Sequence, residues 1–420
     1  MNPMIRLKRW TGSALLAFSL ACLPLGLLAQ KNTCLECHNE LEDSLQAPAK
    51  GFAQDIHQKY GLTCTACHGG DAKQEDMDLA KGRTFRGVPA RKNIPELCGG
   101  CHGNAASMRA FNPSLRVDQL ELYGTSRHGQ LLKKGDTKVA VCTDCHGVHG
   151  ILPSNVPKSL TFPWNIPETC GRCHADRATM EAYSIPADQL AEYKKSVHAR
   201  ALFEKKDLTA PTCNDCHGNH GATPPQVASI AYVCRQCHSA TAELFSRSPH
   251  RPAFDQAELH ECEACHGKHK ILPATDEMLG TGPGSVCLQC HEAGSKPYKV
   301  ASGMRAALDE FLRRRDLAET LLDTAERQGV EVSEAKFKLK EAETALIMLR
   351  NLTHSLSLEE VKAKAAEGEK DLAQVTASGE AALKEGKSRR VGLVITTGFL
   401  FLLAIALFFK IRQIQKKQLL

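Results

Sequence analysis

The chain has 420 residues, an aromatic share of 5% and a formal net charge of +6. This length could hold two or three ordinary domains, but the low aromatic share predicts a core with few large side chains. Arg6, Lys8 and Arg9 lie in an N-terminal segment that we expect to be removed, so +6 minus 3 leaves about +3 on the mature chain. Such an excess does not indicate a nucleic-acid surface.

The N-terminus predicts a secretory signal peptide over residues 1–29. The three basic residues precede an apolar run from Ala14 to Leu28, and the small residue Ala29 follows it, which is the order of a cleaved export signal. We favour cleavage after Ala29 over a lipoprotein signal at Cys22, because no leucine lies three residues before that cysteine. The mature chain is therefore expected outside the cytoplasm, in the periplasm or outside the cell.

Residues 30–297 contain the motif C-x-x-C-H nine times, and these motifs use 18 of the 19 cysteines. The motif is the attachment sequence of c-type haem: its two thiols add to the porphyrin, and its histidine binds the iron. Disulfides and zinc sites do not require a histidine directly after the second cysteine. The sequence thus predicts nine covalently attached haems c, whose bulk would also compensate for the sparse aromatic core.

We number the motifs one to nine in chain order. Their predicted haem-binding cysteines are Cys34 and Cys37, Cys64 and Cys67, Cys98 and Cys101, Cys142 and Cys145, Cys170 and Cys173, Cys213 and Cys216, Cys234 and Cys237, Cys262 and Cys265, and Cys287 and Cys290. Their predicted proximal iron ligands are His38, His68, His102, His146, His174, His217, His238, His266 and His291.

The motifs from two to nine alternate between two types. The first type reads "CTACHGG", "CTDCHGVHG", "CNDCHGNHG" and "CEACHGKHK", and the second reads "NIPELCGGCH", "NIPETCGRCH", "SIAYVCRQCH" and "GPGSVCLQCH". Four such pairs follow the lone motif one, so the repeating unit is a pair of haems. At about thirty residues per haem, the region is expected to be mostly irregular, with short helices and little β-structure.

A second histidine follows three of the first-type motifs, at His149, His220 and His269. His149 lies only three residues after the proximal His146 and starts on the same face of the haem ring. It cannot reach the opposite face, so if it binds iron, it binds the iron of a different haem. The first pair has Asp71 at this position.

A third repeated element precedes the first-type motifs, in "SRHGQLL", "SVHARAL" and "SPHRPAF". Its histidines are His128, His198 and His250, and "DIHQKYG" provides a diverged copy at His57. A surface location would explain any one of them. Their recurrence at matched places predicts that all four are distal iron ligands.

Nine irons with two histidines each need nine distal ligands, and the repeats supply seven. The two histidines left are His260 and His354, and we assign both to this role. His354 lies at a predicted helix break, where the chain can turn back towards the haems. Met108 and Met180 are the rival ligands, although packing in a helix explains them equally well.

The region of residues 298–388 is predicted as a helical stalk of three helices. Apolar residues recur at helical spacing from Met304 to Leu312, and the pattern breaks at "RQGVEVS" and at "NLTHSLS". Ser357 and Glu360 form the sequence pattern of a capping box at the start of the third helix.

Residues 389–410 are predicted as a transmembrane helix, because the 19 residues from Val391 to Phe409 carry no charge. Four basic residues flank each side, which leaves the positive-inside rule undecided. Haem attachment outside the cytoplasm then assigns the tail, residues 411–420, to the cytoplasm.

At these residues the chain resembles the bacterial multihaem c-type cytochromes with doubled C-x-x-C-H motifs, including membrane-anchored members and those with haem packing like that of cytochromes c3 and c7. The most specific elements are "S-x-H", "CHG-x-H" and "NIPETCGRCH", together with "GVEVSEA" in the tail. The resemblance implies electron transfer outside the cytoplasm through haems held by two histidines.

The favoured function is therefore that of a membrane-anchored nonahaem cytochrome that relays electrons in anaerobic or respiratory electron transfer. Its expected partners are redox proteins, such as a quinol-oxidising membrane subunit and a periplasmic or outer acceptor, and membrane lipid, with no nucleic acid. One alternative is an oxidoreductase that acts on a small nitrogen or sulfur compound at one five-coordinate haem. Another is an electron-storing subunit of a larger complex.

Overall fold

The computed structural model describes residues 32–223 and 231–418. The predicted signal peptide and Cys22 lie outside these residues. The described chain is helical with no β-strand, so the predicted fold class is confirmed. It divides into two compact units: residues 32–90 with 149–151, and residues 91–148 with 152–418. The predicted haem domain, residues 30–297, is thus shared between two units.

The first unit contains five short helices: α1 Thr33–Glu40, α2 Asp43–Phe52, α3 Ile56–Lys59, α4 Cys64–His68 and α5 Met77–Ala80. Residues 149–151 belong to this unit because the backbone N–H of Ile151 donates to the buried Asp55 carboxylate at 2.8 Å. In return, Ile56 N–H donates to the carbonyl oxygen of Ile151 at 2.8 Å.

The haem-motif part of the second unit contains fourteen short helices among the described residues. They are α6 Ile94–His102, α7 Ala105–Phe111, α8 Gln119–Thr125, α9 Arg127–Lys133, α10 Cys142–His146, α11 Ile166–His174, α12 Arg177–Glu181, α13 Gln189–Tyr193, α14 Val197–Phe203, α15 Cys213–His217, α16 Ala231–Cys234, α17 Ser239–Ser246, α18 His250–Gln256 and α19 Glu263–His266. Motif nine forms a 3-10 turn, Cys287–Gln289.

The two motif types fold differently. In a first-type motif such as α10, the helix begins at the first cysteine and ends at the histidine. The next residue is a glycine with positive φ, as Gly147 at 82° and Gly218 at 81° show. Only glycine adopts this conformation without strain, so the chain turns away directly after the proximal ligand. In a second-type motif such as α11, a proline in the first turn starts the helix and the histidine ends it.

In two of the three "S-x-H" elements, the serine caps the helix that contains the upstream histidine. Ser126 is the N-cap of α9, and its hydroxyl accepts a hydrogen bond from Gly129 N–H at 2.9 Å. Ser196 caps α14 in the same way at 3.1 Å. Both serines are buried. Because the capping residue fixes where the helix starts, it also fixes the histidine two residues later in the first turn.

The predicted three-helix stalk is confirmed. Its helices are α20 Lys296–Arg327, α21 Ser333–Leu352 and α22 Leu358–Gln418, and both breaks lie where the sequence predicts them. The Ser357 hydroxyl accepts a hydrogen bond from Glu360 N–H at 3.2 Å, which is one half of the predicted capping box, and the Glu360 carboxylate binds Arg247 instead of Ser357 N–H. The helices share an apolar core in which Met304, Leu308 and Phe311 are at most 1% exposed.

Helix α22 runs parallel to α20, because their close approaches advance in the same chain direction along both segments. A Cβ at Gly303 would meet Leu358, one at Gly368 would meet Phe311, and one at Gly379 would meet Leu321. At the far end, Gly386 lies against Val330. We call α20, α21 and residues 358–390 of α22 the pedestal, because α22 continues from it without a break into the apolar segment.

The segment of α22 after residue 390 is apolar and exposed. Its most apolar stretch has a mean hydropathy of 2.6 with no part buried. By length and composition, one helix of the described chain could thus cross a membrane.

Candidate haem-ligation sites

Seven pairs of imidazole rings face each other across a gap of similar width. Each pair joins one motif histidine to one histidine outside the motifs. The pairs are His68–His149 at 6.0 Å between ring centroids, His174–His128 at 6.1 Å, His146–His220 at 6.0 Å, His238–His198 at 6.4 Å, His217–His269 at 6.0 Å, His291–His250 at 5.8 Å and His266–His354 at 6.1 Å.

This spacing fits one iron between two imidazoles. A histidine nitrogen lies about 2 Å from a bound metal ion, and the ring centroid lies roughly 1 Å behind it, so two rings on opposite sides of one iron have centroids about 6 Å apart. Direct stacking would bring the rings closer together. The residues present therefore fit c-type haem irons with two axial histidines.

The histidines that follow first-type motifs all face the histidine of another motif. His220, after motif six, faces the proximal histidine of motif four, and His269, after motif eight, faces that of motif six. His149, after motif four, faces that of motif two. Each therefore pairs with the motif two places earlier, as the ring-face argument requires of a ligand to a different haem.

The upstream histidines face the second-type motifs. His128, His198 and His250 lie opposite the histidines of motifs five, seven and nine. The diverged copy, His57, lies in the first turn of α3, and its Nδ1 bonds to the Asp55 carboxylate at 2.8 Å. A hydrogen bond at Nδ1 leaves Nε2 as the nitrogen available for a metal.

His354 is brought to a motif histidine by the tail. It lies in the 3-10 turn Thr353–Ser355 between α21 and α22, and its ring faces that of His266 in motif eight at 6.1 Å. Around it the tail is docked by Arg247, which forms an ion pair with Glu360 at 2.8 Å, and by Thr241, which donates to Asn351. Arg350 forms a second ion pair, with Asp276, at 2.7 Å.

The position of His354 completes the pattern of the first-type motifs. Motifs two, four and six each face a histidine that follows the motif two places later. Motif eight has no motif ten after it in this chain, and the tail supplies the facing ring instead. The pedestal thus has the role of a terminal unit that completes a repeat array.

Two of the predicted ligands face no other imidazole within the described part of the chain, namely His38 and His260. The Nδ1 of His38 bonds to the carbonyl oxygen of Leu45 at 2.8 Å. His260 is exposed and lies in the loop before motif eight. The rival ligands Met108 and Met180 are both buried, in α7 and α12.

Burial keeps two of the facing imidazoles, His146 and His354, in the form that can bind iron. Desolvation lowers the pKa of His146 to about 4, with a further contribution from the neighbouring His220. It also lowers the pKa of His354 below its ordinary value. Neutral histidine is the metal-binding form, so both rings are able to ligate at pH 7.

The cysteines show that neighbouring motifs in the chain are neighbours in space within the second unit. The thiols of Cys98 and Cys142, of Cys170 and Cys213, and of Cys234 and Cys262 lie close enough to shift each other's pKa. Between the first two of these pairs, the Arg172 guanidinium donates to the carbonyl oxygen of Asp144. Motifs three to eight thus follow one another in space in their chain order.

Disulfides and zinc sites, the alternatives to haem attachment, would need cysteines that are bonded in pairs or that converge with other ligands. The 18 described cysteines form no disulfide with one another, and each is half-buried or exposed. Within residues 32–223 and 231–418, no three side chains of histidine, cysteine, aspartate or glutamate converge as ligands of a metal ion.

We expect Gly51→Ala to displace His149 from its place opposite His68. A Cβ at Gly51 would overlap the carbonyl oxygen of His149, and such overpacking costs about 1–3 kcal/mol. Electron paramagnetic resonance (EPR) of the oxidised protein should show a new high-spin iron. Gly124→Ala is the control, since that site is open; equal spectra for both variants would contradict the prediction.

A comparison with protein families places the motifs in a known context. The family model of cytochrome c3 matches residues 56–175 and 204–292. The match includes motifs two to nine, whereas motif one and the pedestal lie outside it. No curated protein and no solved structure matches the chain. Over these two regions the chain is similar to cytochrome c3, a family of multihaem cytochromes c with covalently bound haem.

Proposed function

We propose that the chain is a membrane-anchored nonahaem c-type cytochrome that relays electrons outside the cytoplasm in anaerobic or respiratory electron transfer. The observation that carries this proposal is the set of seven imidazole pairs, each spaced for one iron. An iron with both axial positions held by histidine has no open position for a substrate. Such a site suits the passage of single electrons better than substrate chemistry.

The chain's own residues would hold the haems in a fixed order. Covalently attached haem supplies one-electron exchange between ferric and ferrous iron. The two cysteines of each motif tether the ring, and the proximal histidine holds the iron from one side. The histidines that follow first-type motifs, His149, His220 and His269, would serve haems of the preceding repeat, so each of these haems would join two repeats. His217 and His220 lie on one turn and face two different partners, which forces neighbouring haems together.

Backbone oxygens orient the proximal rings. The Nδ1 of His68 bonds to the carbonyl oxygen of Gly87 at 2.8 Å, and that of His217 bonds to Thr223 at 3.2 Å. A neutral imidazole that donates at Nδ1 presents Nε2 to the metal. These contacts fix the planes of the His68 and His217 rings, which would limit rearrangement around an iron that these histidines held.

The length of the pedestal limits which kind of redox partner can reach the haem of motif eight. Along one continuous helix, Leu358 and Val391 are 33 residues apart, or about 50 Å at 1.5 Å per residue. His354 lies just before Leu358, at the end away from the apolar segment. A quinol site buried in the membrane would be too far from this haem for direct transfer. We therefore propose that the donor or acceptor reaches the haem of motif eight with an extracytoplasmic domain.

Mass spectrometry of the denatured full-length chain tests the haem count. We expect a mass increase equal to nine haems, because nine complete motifs are present. The same chain should remain in washed membranes, whereas a chain that ends at Ser388 should appear in the soluble extracytoplasmic fraction. Fewer than nine haems from a host with competent haem attachment, or equal membrane retention of both chains, would overturn the corresponding part of the proposal.

A further inference from the structure

Motif one differs from the other eight motifs on three counts. It precedes the four pairs and belongs to none of them, it lies outside the regions that match cytochrome c3, and its histidine, His38, faces no other imidazole among the described residues. The residues before it, 1–37, contain no histidine. The sequence, the family comparison and the ring geometry thus each distinguish the haem of motif one from the others.

The proximal half of this site is built like the others. Helix α1 contains Cys34, Cys37 and His38. The Nδ1 of His38 bonds to the carbonyl oxygen of Leu45 at 2.8 Å, as His68 bonds to Gly87 at 2.8 Å. The ring is therefore oriented with Nε2 available for iron. Helix α1 therefore supplies the residues for haem attachment and for proximal ligation. The site differs from the others only on the distal side of the haem.

The histidines available for distal positions are accounted for without this haem. Seven of the nine non-motif histidines face a motif histidine other than His38 in the described structure. His57 occupies the repeat position of His128, His198 and His250. The remaining one, His260, has no counterpart in any repeat and is exposed. Nothing in the repeat pattern thus supplies a histidine to the distal side of the haem of motif one.

We propose that the haem attached at Cys34 and Cys37 has an exchangeable sixth coordination position, which binds small, unhindered axial ligands. This inference rests on the proposed nonahaem function and deepens it. The relevant ligand class is that of compact haem-iron ligands: carbon monoxide on the ferrous iron, and cyanide or azide on the ferric iron. Seven of the other irons would be closed to these ligands by a second histidine, and the repeat position of His57 assigns it as the second histidine of the eighth.

The test uses the full-length protein and two probes. EPR of the oxidised protein should show one high-spin iron in nine, and carbon monoxide should bind the reduced protein with a stoichiometry of one per chain. In the Cys34→Ala, Cys37→Ala variant, which should carry eight haems by mass, both signals should be lost. Nine low-spin irons with no carbon monoxide binding would overturn the inference but leave the proposed function standing.

Two single variants separate the alternatives. His260→Ala should leave both signals unchanged; a second high-spin iron in this variant would mean that His260 is a ligand and would overturn the assignment. His250→Ala is the positive control, since it removes a ring that faces His291, and it should raise the carbon monoxide stoichiometry from one to two.

If the double cysteine variant keeps its high-spin signal, the open iron belongs to another motif. Fewer than nine haems in the unmodified chain would instead count against the proposed function.

Discussion

Replacement of His354 by alanine is expected to convert one low-spin iron to high-spin, namely the iron attached at Cys262 and Cys265. The imidazole of His354 faces that of His266 at 6.1 Å, and alanine provides no ligand in its place. EPR of the oxidised protein measures the change, with one additional high-spin iron in nine. Carbon monoxide binding should rise by one equivalent, because the new position is open.

The companion variants distinguish ligation from docking. His354→Met keeps a side chain that can bind iron, so it should retain a low-spin spectrum with a changed reduction potential. Arg350→Gln removes the ion pair with Asp276 at 2.7 Å but no ring, so it should leave the spin count unchanged. An unchanged spectrum in the alanine variant would remove His354 from the ligands and leave the haem of motif eight open.

Replacement of Phe311 by alanine is expected to destabilise the pedestal by about 3–5 kcal/mol, the usual cost of removing a fully buried phenylalanine. Phe311 is 0% exposed in the shared core, and its ring packs against Gly368 of α22. Thermal unfolding followed by far-ultraviolet circular dichroism should show an earlier loss of the helical signal that belongs to the tail.

The Phe311→Ala substitution should also alter the ligation of the haem of motif eight. His354 lies in the turn between two pedestal helices, so loss of the pedestal removes the support of that turn. The high-spin signal of one iron should therefore rise at the temperature at which the tail unfolds. Phe337→Ala is the matched control: this ring is 64% exposed on α21, and its loss should change stability by no more than about 0.5 kcal/mol. If the Phe311 variant unfolds early while no further iron becomes high-spin, His354 does not depend on the pedestal.

Local features of the chain could be predicted with good accuracy from the sequence. The breaks after Arg327 and Leu352 follow from interruption of the helical pattern and from a serine cap, and both depend on residues within a few positions. The motif types likewise differ in nearby residues: a glycine with positive φ follows the histidine of each first-type motif, and a proline in the first turn starts the helices of motifs three and five. The ring-face argument for His149 also depends only on a short separation and excludes its own haem.

The sequence by itself therefore determined the motifs, the haem class that they indicate and the helices of the tail. It also excluded the histidines that follow first-type motifs, such as His149, as ligands of the haem attached at their own motif. The tertiary structure decided which rings face each other, because these pairs join residues far apart in the chain and no local pattern identifies the partner. His354 and His260 illustrate the difference. Both were assigned only by counting histidines, and the folding of the pedestal brings one ring to His266 while the other remains exposed.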